Sequence, residues 1–230
     1  MINKKIMVIA AHPDDEILGC GGTIKKFILK GYKVRTLIMT RGISSRYSKS
    51  TKTTSKLQSK LNTMSILANK AIGVKDVKYF DLPDNQFDKN SLLSLVKIIE
   101  KEINLFKPKK IFTHFYNDLN IDHQYTSKAV LTAARPQGQD YVDEVFFFEI
   151  NSSTDYQINS DGLQFKPNFF VDISKTIKFK KKALEFYKSE MRKYPHSRSI
   201  KAILNRNISL GNSMGLESCE AFQIARIIDK

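Results

Sequence analysis

Apolar segments of strand length alternate with amphipathic segments of helix length along most of this chain. Residues 5–11 are continuously apolar after the first lysine, which is typical of a strand buried on both faces. Residues 16–29 then place apolar side chains at helical spacing, and residues 34–39 are again a buried strand. A parallel sheet covered by helices on both faces accounts for this order, so the predicted fold class is α/β.

The same alternation continues towards the C-terminus. We predict further helices at residues 55–71, 91–106, 122–134, 176–192 and 197–208, and further strands at residues 77–82, 110–113, 142–150 and 169–173. Residues 41–54 are polar and basic without apolar periodicity, which predicts a long loop. No repeat, linker or low-complexity segment interrupts the chain, so we expect a single domain over residues 1–230.

Several protein classes are excluded or disfavoured by the sequence. No run of about 18 apolar residues is present, so no membrane span is expected. The N-terminal apolar run leads into a charged motif rather than a cleavage site, which indicates a first strand and not a signal peptide. Cys20 and Cys219 form no disulfide framework, so a cytoplasmic location is expected. A GxGxxG turn does not follow the first strand, which argues against a dinucleotide-binding domain.

The positive charge is concentrated in one part of the sequence. The formal net charge is +15, and residues 17–75 contain 13 lysines and arginines but no acidic residue. Such a region could attract nucleic acid, an anionic membrane or a phosphorylated small substrate, although solvated lysines on a surface explain it equally well.

Histidines and aspartates follow the predicted strands at the edge where α/β proteins bind ligands. His12 precedes Asp14 and Asp15 after the first strand, and His114 and His123 follow the strand at residues 110–113. Two imidazoles and one carboxylate are the ligand set of a catalytic zinc site, and His12, Asp15 and His123 can supply it.

A hydrolytic site also needs a base and a hydrogen-bond donor. Asp14 lies beside the predicted ligands, where it could take a proton from the attacking water. His114 and Asn120 are candidates for stabilising the oxyanion of a tetrahedral intermediate. These residues predict a metal-dependent hydrolase.

The motif Ala-His-Pro-Asp-Asp-Glu at residues 11–16, followed by Gly-Cys-Gly-Gly and later by Asp118-Leu-Asn-Ile-Asp-His123, resembles the LmbE-like (PIG-L) family of zinc-dependent N-deacetylases. The similarity extends over almost the whole chain. It implies a Rossmann-like, three-layer fold with a mostly parallel sheet. It also implies zinc binding by His12, Asp15 and His123, with Asp14 as general base, and removal of an acetyl group from an N-acetylglucosamine-type conjugate.

The chain departs from the family pattern at residues expected to contact the substrate and to serve as the general acid. Many relatives have a histidine where this chain has Asn120, so His114 or the Asn120 amide is expected to substitute for it. Arg46 in the long loop is the candidate for gripping a phosphate or carboxylate, and Arg41 and Asp84 are further candidates for substrate contacts. An anionic or nucleotide-linked sugar is therefore expected.

Two alternatives remain open at this stage. One is a metal-dependent amidohydrolase acting on another N-acyl group or on a non-sugar amide. For either enzyme, the ligand set also accepts divalent ions other than zinc. The other is a basic nucleic-acid-binding domain, which is disfavoured because residues 49–60 contain no aromatic side chain. We expect a small-molecule N-acetylated sugar as the binding partner and no binding of nucleic acid. The chain could also form a homo-oligomer.

Overall fold

A seven-stranded sheet forms the centre of the computed structural model, which describes residues 4–42, 52–137, 141–157 and 163–229, without the side chains of residues 52–55. The strand order is β3-β2-β1-β4-β5-β7-β6. Strands β1 to β5 pair in parallel, whereas β7 is antiparallel to both β5 and β6. The strands are β1 (Lys5–Ala10), β2 (Lys33–Ile38), β3 (Asp76–Tyr79), β4 (Lys110–His114), β5 (Glu144–Phe148), β6 (Phe169–Asp172) and β7 (Cys219–Ile227).

Six α-helices in the described ranges cover the two faces of the sheet. One core cluster packs α1, α2, α5 and α6 against the face that carries Val8 and Phe112. A second packs α3 and α4 against the opposite face, which carries Ile9 and Ile111. The helices are α1 (Asp15–Leu29), α2 (Lys52–Ile72), α3 (Leu92–Phe106), α4 (Ile121–Ala133), α5 (Ile177–Phe186) and α6 (Ile200–Asn212). The predicted three-layer α/β fold with a mostly parallel sheet is confirmed.

Strand β1 lies at the point where the strand order reverses. The chain proceeds from β1 to β2 and β3 on one side, and β4 and β5 lie on the other. In open α/β sheets the loops at the carboxyl ends of strands diverge at such a point and leave a crevice. Residues 11–14 occupy it, between β1 and α1, and β4 ends beside it at His114.

The structure corrects several predicted elements. Helix α2 begins at Lys52, earlier than the helix predicted from residue 55, and residues 43–51 of the predicted loop lie outside the described residues. The helix predicted at residues 176–192 ends at Phe186. Strand β7 was not predicted, although Phe222 and Ile224 flank a polar Gln223 in an alternating pattern. No helix in the described parts of the chain has both the length and the apolar character needed to cross a bilayer.

Candidate metal centre and active site

A cavity of about 330 Å³ opens at the carboxyl ends of β1 and β4. Its walls are mainly polar and come from parts of the chain that are distant in sequence. The β1–α1 loop, the start of α4, the segment after β5 and the segment before α6 all contribute. Lining side chains include His12, Asp14, Asp15, Asp84, Asn85, Asn120, His123, Ser152, Tyr156, Glu190, Arg192, His196 and Arg198.

His12, Asp15 and His123 converge in this cavity, and one ligand atom from each lies within 4.8 Å of the other two. His12 Nδ1 is 3.3 Å from His123 Nε2 and 3.2 Å from Asp15 Oδ2. Asp15 Oδ2 is also 3.3 Å from His123 Nε2. The structure therefore brings together the three residues that the sequence predicts as metal ligands.

The remaining ring nitrogens face carboxylates that fix the orientation of both imidazoles. His12 Nε2 lies 3.1 Å from Asp122 Oδ2, and His123 Nδ1 lies 3.1 Å from Asp118 Oδ1. When these nitrogens carry the protons, the lone pairs of His12 Nδ1 and His123 Nε2 point into the space between the ligands. This carboxylate–histidine arrangement is the usual support of a metal-binding histidine.

A second group, His12, Asp84 and Asp122, also lies within metal-binding distance. Both oxygens of Asp122, however, already accept backbone hydrogen bonds, from Asn85 N at 2.6 Å and from Phe87 N at 3.0 Å. Asp122 is thus part of the support of His12. The first group has a backbone hydrogen bond on Asp15 Oδ2 too, from His12 N at 2.9 Å, but it supplies the two imidazoles and one carboxylate of a catalytic zinc site and is the better metal site.

The carboxylates around the two histidines favour positive charge. Burial opposes it, but hydrogen bonds to Asp122 and Asp15 raise the pKa of His12 to about 10. Burial likewise opposes charge on His123, and the charges of Asp15 and Asp118 raise its pKa to about 9. Burial would raise the pKa of Asp15, yet the neighbouring histidines hold it well below its usual value. The cluster therefore has the electrostatic character of a cation site.

Asp14 is held beside these residues in a strained backbone conformation. Its φ of 105° is rare for a residue other than glycine. Its N–H donates to Glu16 Oε2 at 3.0 Å, and Glu16 is fixed in turn by Asn69 Nδ2 and Tyr187 Oη. The role of Glu16 in holding Asp14 was not predicted from the sequence.

The carboxylate of Asp14 does not cap α1, although Asp14 occupies the N-cap position. Instead, its Oδ2 accepts a hydrogen bond from Arg198 Nη2 at 2.7 Å, and its Oδ1 is buried without a hydrogen-bond partner. Burial raises the pKa of Asp14 to about 6, against the opposing charge of Arg198. Arg198 was missed because nothing in its local sequence points to the loop after β1.

The structure corrects the expectation for His114. This side chain is fully buried, does not line the cavity and stacks on His123 with ring centroids 3.9 Å apart. Its Nε2 accepts a hydrogen bond from the N–H of Ala11 at 2.8 Å, and burial holds its pKa well below the usual value. His114 is thus a neutral residue that supports the site from behind, because a substrate in the cavity cannot reach it.

Asn120 and Asp84 do line the cavity. Asn120 caps α4, since its Oδ1 accepts from Asp122 N at 2.8 Å, and its amide nitrogen donates to Asn85 Oδ1 at 3.1 Å. Asp84 Oδ1 lies 3.4 Å from His12 Nε2. Asn120 therefore lies where a donor to the oxyanion was expected, and Asp84 where a substrate contact was expected.

The two predicted arginines have different outcomes. Arg41 does not line the cavity; its Nε donates to Asp81 Oδ1 at 2.6 Å and its guanidinium lies over the Tyr79 ring. The ion pair with Asp81 places the Arg41 side chain outside the cavity lining in this structure, and its substrate contact stays a prediction. Arg46 lies outside the described residues.

The fold and the site together define the class of protein. A histidine–carboxylate cluster at the switch point of an α/β sheet, beside a buried carboxylate, is the arrangement of a hydrolytic enzyme. The chain belongs to the GlcNAc-PI de-N-acetylase (PIG-L) family, whose model matches residues 7–134. The family resemblance found in the sequence is confirmed.

The sequence identity to individual relatives is low. The chain is 25% identical to the diacetylchitobiose deacetylase of Thermococcus kodakarensis over 81% of its own length and 70% of the relative. It matches the structure of N,N'-diacetylchitobiose deacetylase from Pyrococcus horikoshii, with a TM-score of 0.74, 22% identity and coverage of 97% of this chain and 84% of the other. The 4-carboxy-2-hydroxymuconate hydratase GalB of Pseudomonas putida is similar too, with a TM-score of 0.72, 20% identity and 99% coverage of both chains. Since this fold is also that of a hydratase, the reaction must be argued from the site.

Proposed function

We propose that this protein is a metal-dependent hydrolase that removes the acetyl group from an N-acetylated sugar. The observation that carries the proposal is the convergence of His12, Asp15 and His123 beside an Asp14 carboxylate with one oxygen free of hydrogen bonds. Membership in a de-N-acetylase family supports the same reaction.

The residues present fit a divalent cation. His12 Nδ1, His123 Nε2 and Asp15 Oδ2 are all electron-pair donors when the imidazole protons lie on the nitrogens beside Asp122 and Asp118. Three such atoms about 3.2–3.3 Å apart repel one another unless a positive charge lies between them. We propose zinc, whose usual catalytic ligands are histidine and carboxylate, although the same set accepts other divalent ions.

When bound, the metal would polarise the acetyl carbonyl and lower the pKa of a water molecule at the site. Asp14 acts as the general base: its carboxylate, which lines the cavity, takes the proton of the attacking water while Arg198 holds it in place. A base needs a pKa not far below the working pH, and burial gives Asp14 a pKa of about 6.

Asn120 is the proposed donor to the oxyanion of the tetrahedral intermediate. Its side-chain nitrogen carries two hydrogens, and only one is used in the hydrogen bond to Asn85. Because His114 is shielded from the cavity, Asn120 is the better of the two candidates from the sequence.

The substrate class follows from the family and from the chemistry of the walls. Relatives act on diacetylchitobiose, and the cavity offers many hydrogen-bonding side chains to a polyhydroxylated ligand. We further propose that the sugar carries an anionic group, because residues 17–75 contain no acidic residue and Arg192 lines the cavity. An amide hydrolase for another N-acyl group is the alternative.

The test is acetate release by zinc-loaded protein from a panel of N-acetylated compounds. The panel contains N-acetylglucosamine, diacetylchitobiose, a nucleotide-linked N-acetyl sugar and a sugar-free N-acetyl amide. Asp14→Asn is the matched control, since it keeps the size of the side chain but cannot accept the proton. We expect it to retain zinc while turnover falls by roughly 10²–10⁴. The proposal would be overturned if the protein released acetate from none of the three sugars.

A further inference from the structure

Tyr156 places an exposed aromatic ring in the wall of the cavity. Its exposed fraction is 51%. Among the described residues it is the only large apolar side chain that is both exposed and part of the lining. An exposed aromatic ring in the wall of an otherwise polar cavity offers a ligand an apolar surface to bury.

The backbone of Tyr156 is linked through Asp118 to one of the two histidines of the proposed metal site. Tyr156 belongs to the 3-10 helix Thr154–Tyr156, and its N–H donates to Ser153 O at 3.1 Å. The hydroxyls of Ser153 and Thr154 donate to the two oxygens of Asp118, the carboxylate that also faces His123 Nδ1. The 3-10 helix that carries the ring is thus hydrogen-bonded to the same carboxylate that lies beside a proposed metal ligand.

Hydrogen-bonding groups lie beside the ring. His196 faces it edge-on, with ring centroids 6.3 Å apart, and Ser197 Oγ is 3.4 Å from the Tyr156 hydroxyl. His196 Nδ1 accepts the N–H of Arg198 at 3.0 Å, so the neutral imidazole carries its proton on Nε2 and can donate. An aromatic face next to donors is complementary to a ring that has an apolar C–H face and a rim of hydroxyl oxygens.

We propose that Tyr156 is the platform on which the pyranose ring of the substrate stacks, and that it makes the enzyme specific for cyclic sugars over acyclic N-acetyl amides. The inference rests on the proposed function and adds a residue that determines which N-acetyl compounds bind well. The stacking interaction contributes to binding and leaves the reacting atoms untouched, so its loss changes KM and not kcat.

The experiment compares Tyr156→Ala with Tyr156→Phe, which keeps the ring and removes only the hydroxyl. KM and kcat are measured for N,N'-diacetylchitobiose, N-acetylglucosamine and N-acetylethanolamine. We expect Tyr156→Ala to raise KM for both sugars by roughly three- to tenfold at unchanged kcat, with no effect on N-acetylethanolamine. Tyr156→Phe should stay within about twofold of wild type, because the ring carries the contact.

A binding measurement separates this inference from the proposed reaction. Diacetylchitobiose is titrated calorimetrically into Asp14→Asn protein with and without each Tyr156 change. Weaker binding with Tyr156→Ala, but not with Tyr156→Phe, supports the platform even if the wild type releases no acetate and the proposed function fails. Equal binding by all variants, no binding by any of them, or equal kinetic losses for sugars and N-acetylethanolamine would overturn it.

Discussion

At the scale of single residues, Asp14 shows how the chain prepares one carboxylate for proton transfer. Its left-handed backbone turns the side chain away from the N-terminus of α1, where it would otherwise cap the helix. Glu16 holds its N–H and Arg198 holds one carboxylate oxygen, so the other oxygen is left for the reaction. The unfavourable backbone conformation thus occurs at the residue that we propose as the general base.

Arg198 should therefore affect turnover by holding the Asp14 carboxylate in position. We expect Arg198→Gln to lower kcat by about 10- to 100-fold, since a hydrogen bond to a charged group contributes about 1.5–3 kcal/mol. The zinc content of Arg198→Gln should stay unchanged. Arg198→Lys should keep a higher kcat than Arg198→Gln, and added guanidinium should partly restore the kcat of Arg198→Ala. A rise in KM at constant kcat would show instead that Arg198 binds the substrate.

The sequence was sufficient to predict that His12, Asp15 and His123 lie together, but not what surrounds them. His12 and Asp15 are three positions apart in one motif, and His123 follows a recognisable strand, so local pattern places all three at the same sheet edge. Arg198 lies 184 positions from Asp14, and only the packing of the segment before α6 brings the two side chains together. His114 was expected to face the substrate, because the sequence does not show whether a side chain lies in front of the site or behind it.

At the scale of secondary structure, β7 is the element that local pattern could not place. It enters the sheet between β5 and β6, so its position depends on pairings with distant strands. It also supports the helix that begins at the site: Glu220 accepts hydrogen bonds from Gly22 N at 3.0 Å and Thr23 N at 2.7 Å in α1. The buried Lys180 ammonium donates to Glu220 at 2.7 Å and so balances its charge. The first five strands and both helical layers, in contrast, were predictable from hydrophobic periodicity alone.

The contact between α6 and the chain entering β7 depends on Gly211. A Cβ at this position would lie 2.5 Å from Ser218 Cα, a backbone atom that cannot rotate away. Alanine favours a helix by about 1 kcal/mol over glycine, but overpacking costs about 1–3 kcal/mol, so we expect Gly211→Ala to lower the free energy of unfolding. Urea denaturation measures the change. Asn205→Ala, at an exposed position of the same helix, should stay within about 0.5 kcal/mol of wild type, and a similar loss there would contradict the argument.

At the scale of the whole molecule, the proposed metal site joins two distant parts of the chain. His12 and His123 are 111 positions apart in sequence, and they belong to the β1–α1 loop and to α4. The unfolded chain keeps no such arrangement, so a cation that binds these residues binds the folded state selectively. Metal binding and the stability of the fold are therefore linked.

Zinc should raise the melting temperature of the wild-type protein and leave that of His123→Ala nearly unchanged. At a free zinc concentration about 100 times the Kd, selective binding adds about 2.7 kcal/mol to the free energy of unfolding. For a chain of this size about 1 kcal/mol corresponds to 2–4 °C, so we expect a rise of about 5–10 °C in calorimetry. His12→Ala should behave like His123→Ala, because each substitution removes one of three protein ligands. Asp14→Asn should keep the full shift, since Asp14 is assigned to the proton and not to the metal. An equal zinc-induced shift in His123→Ala and wild type would contradict the assignment of His123 as a ligand.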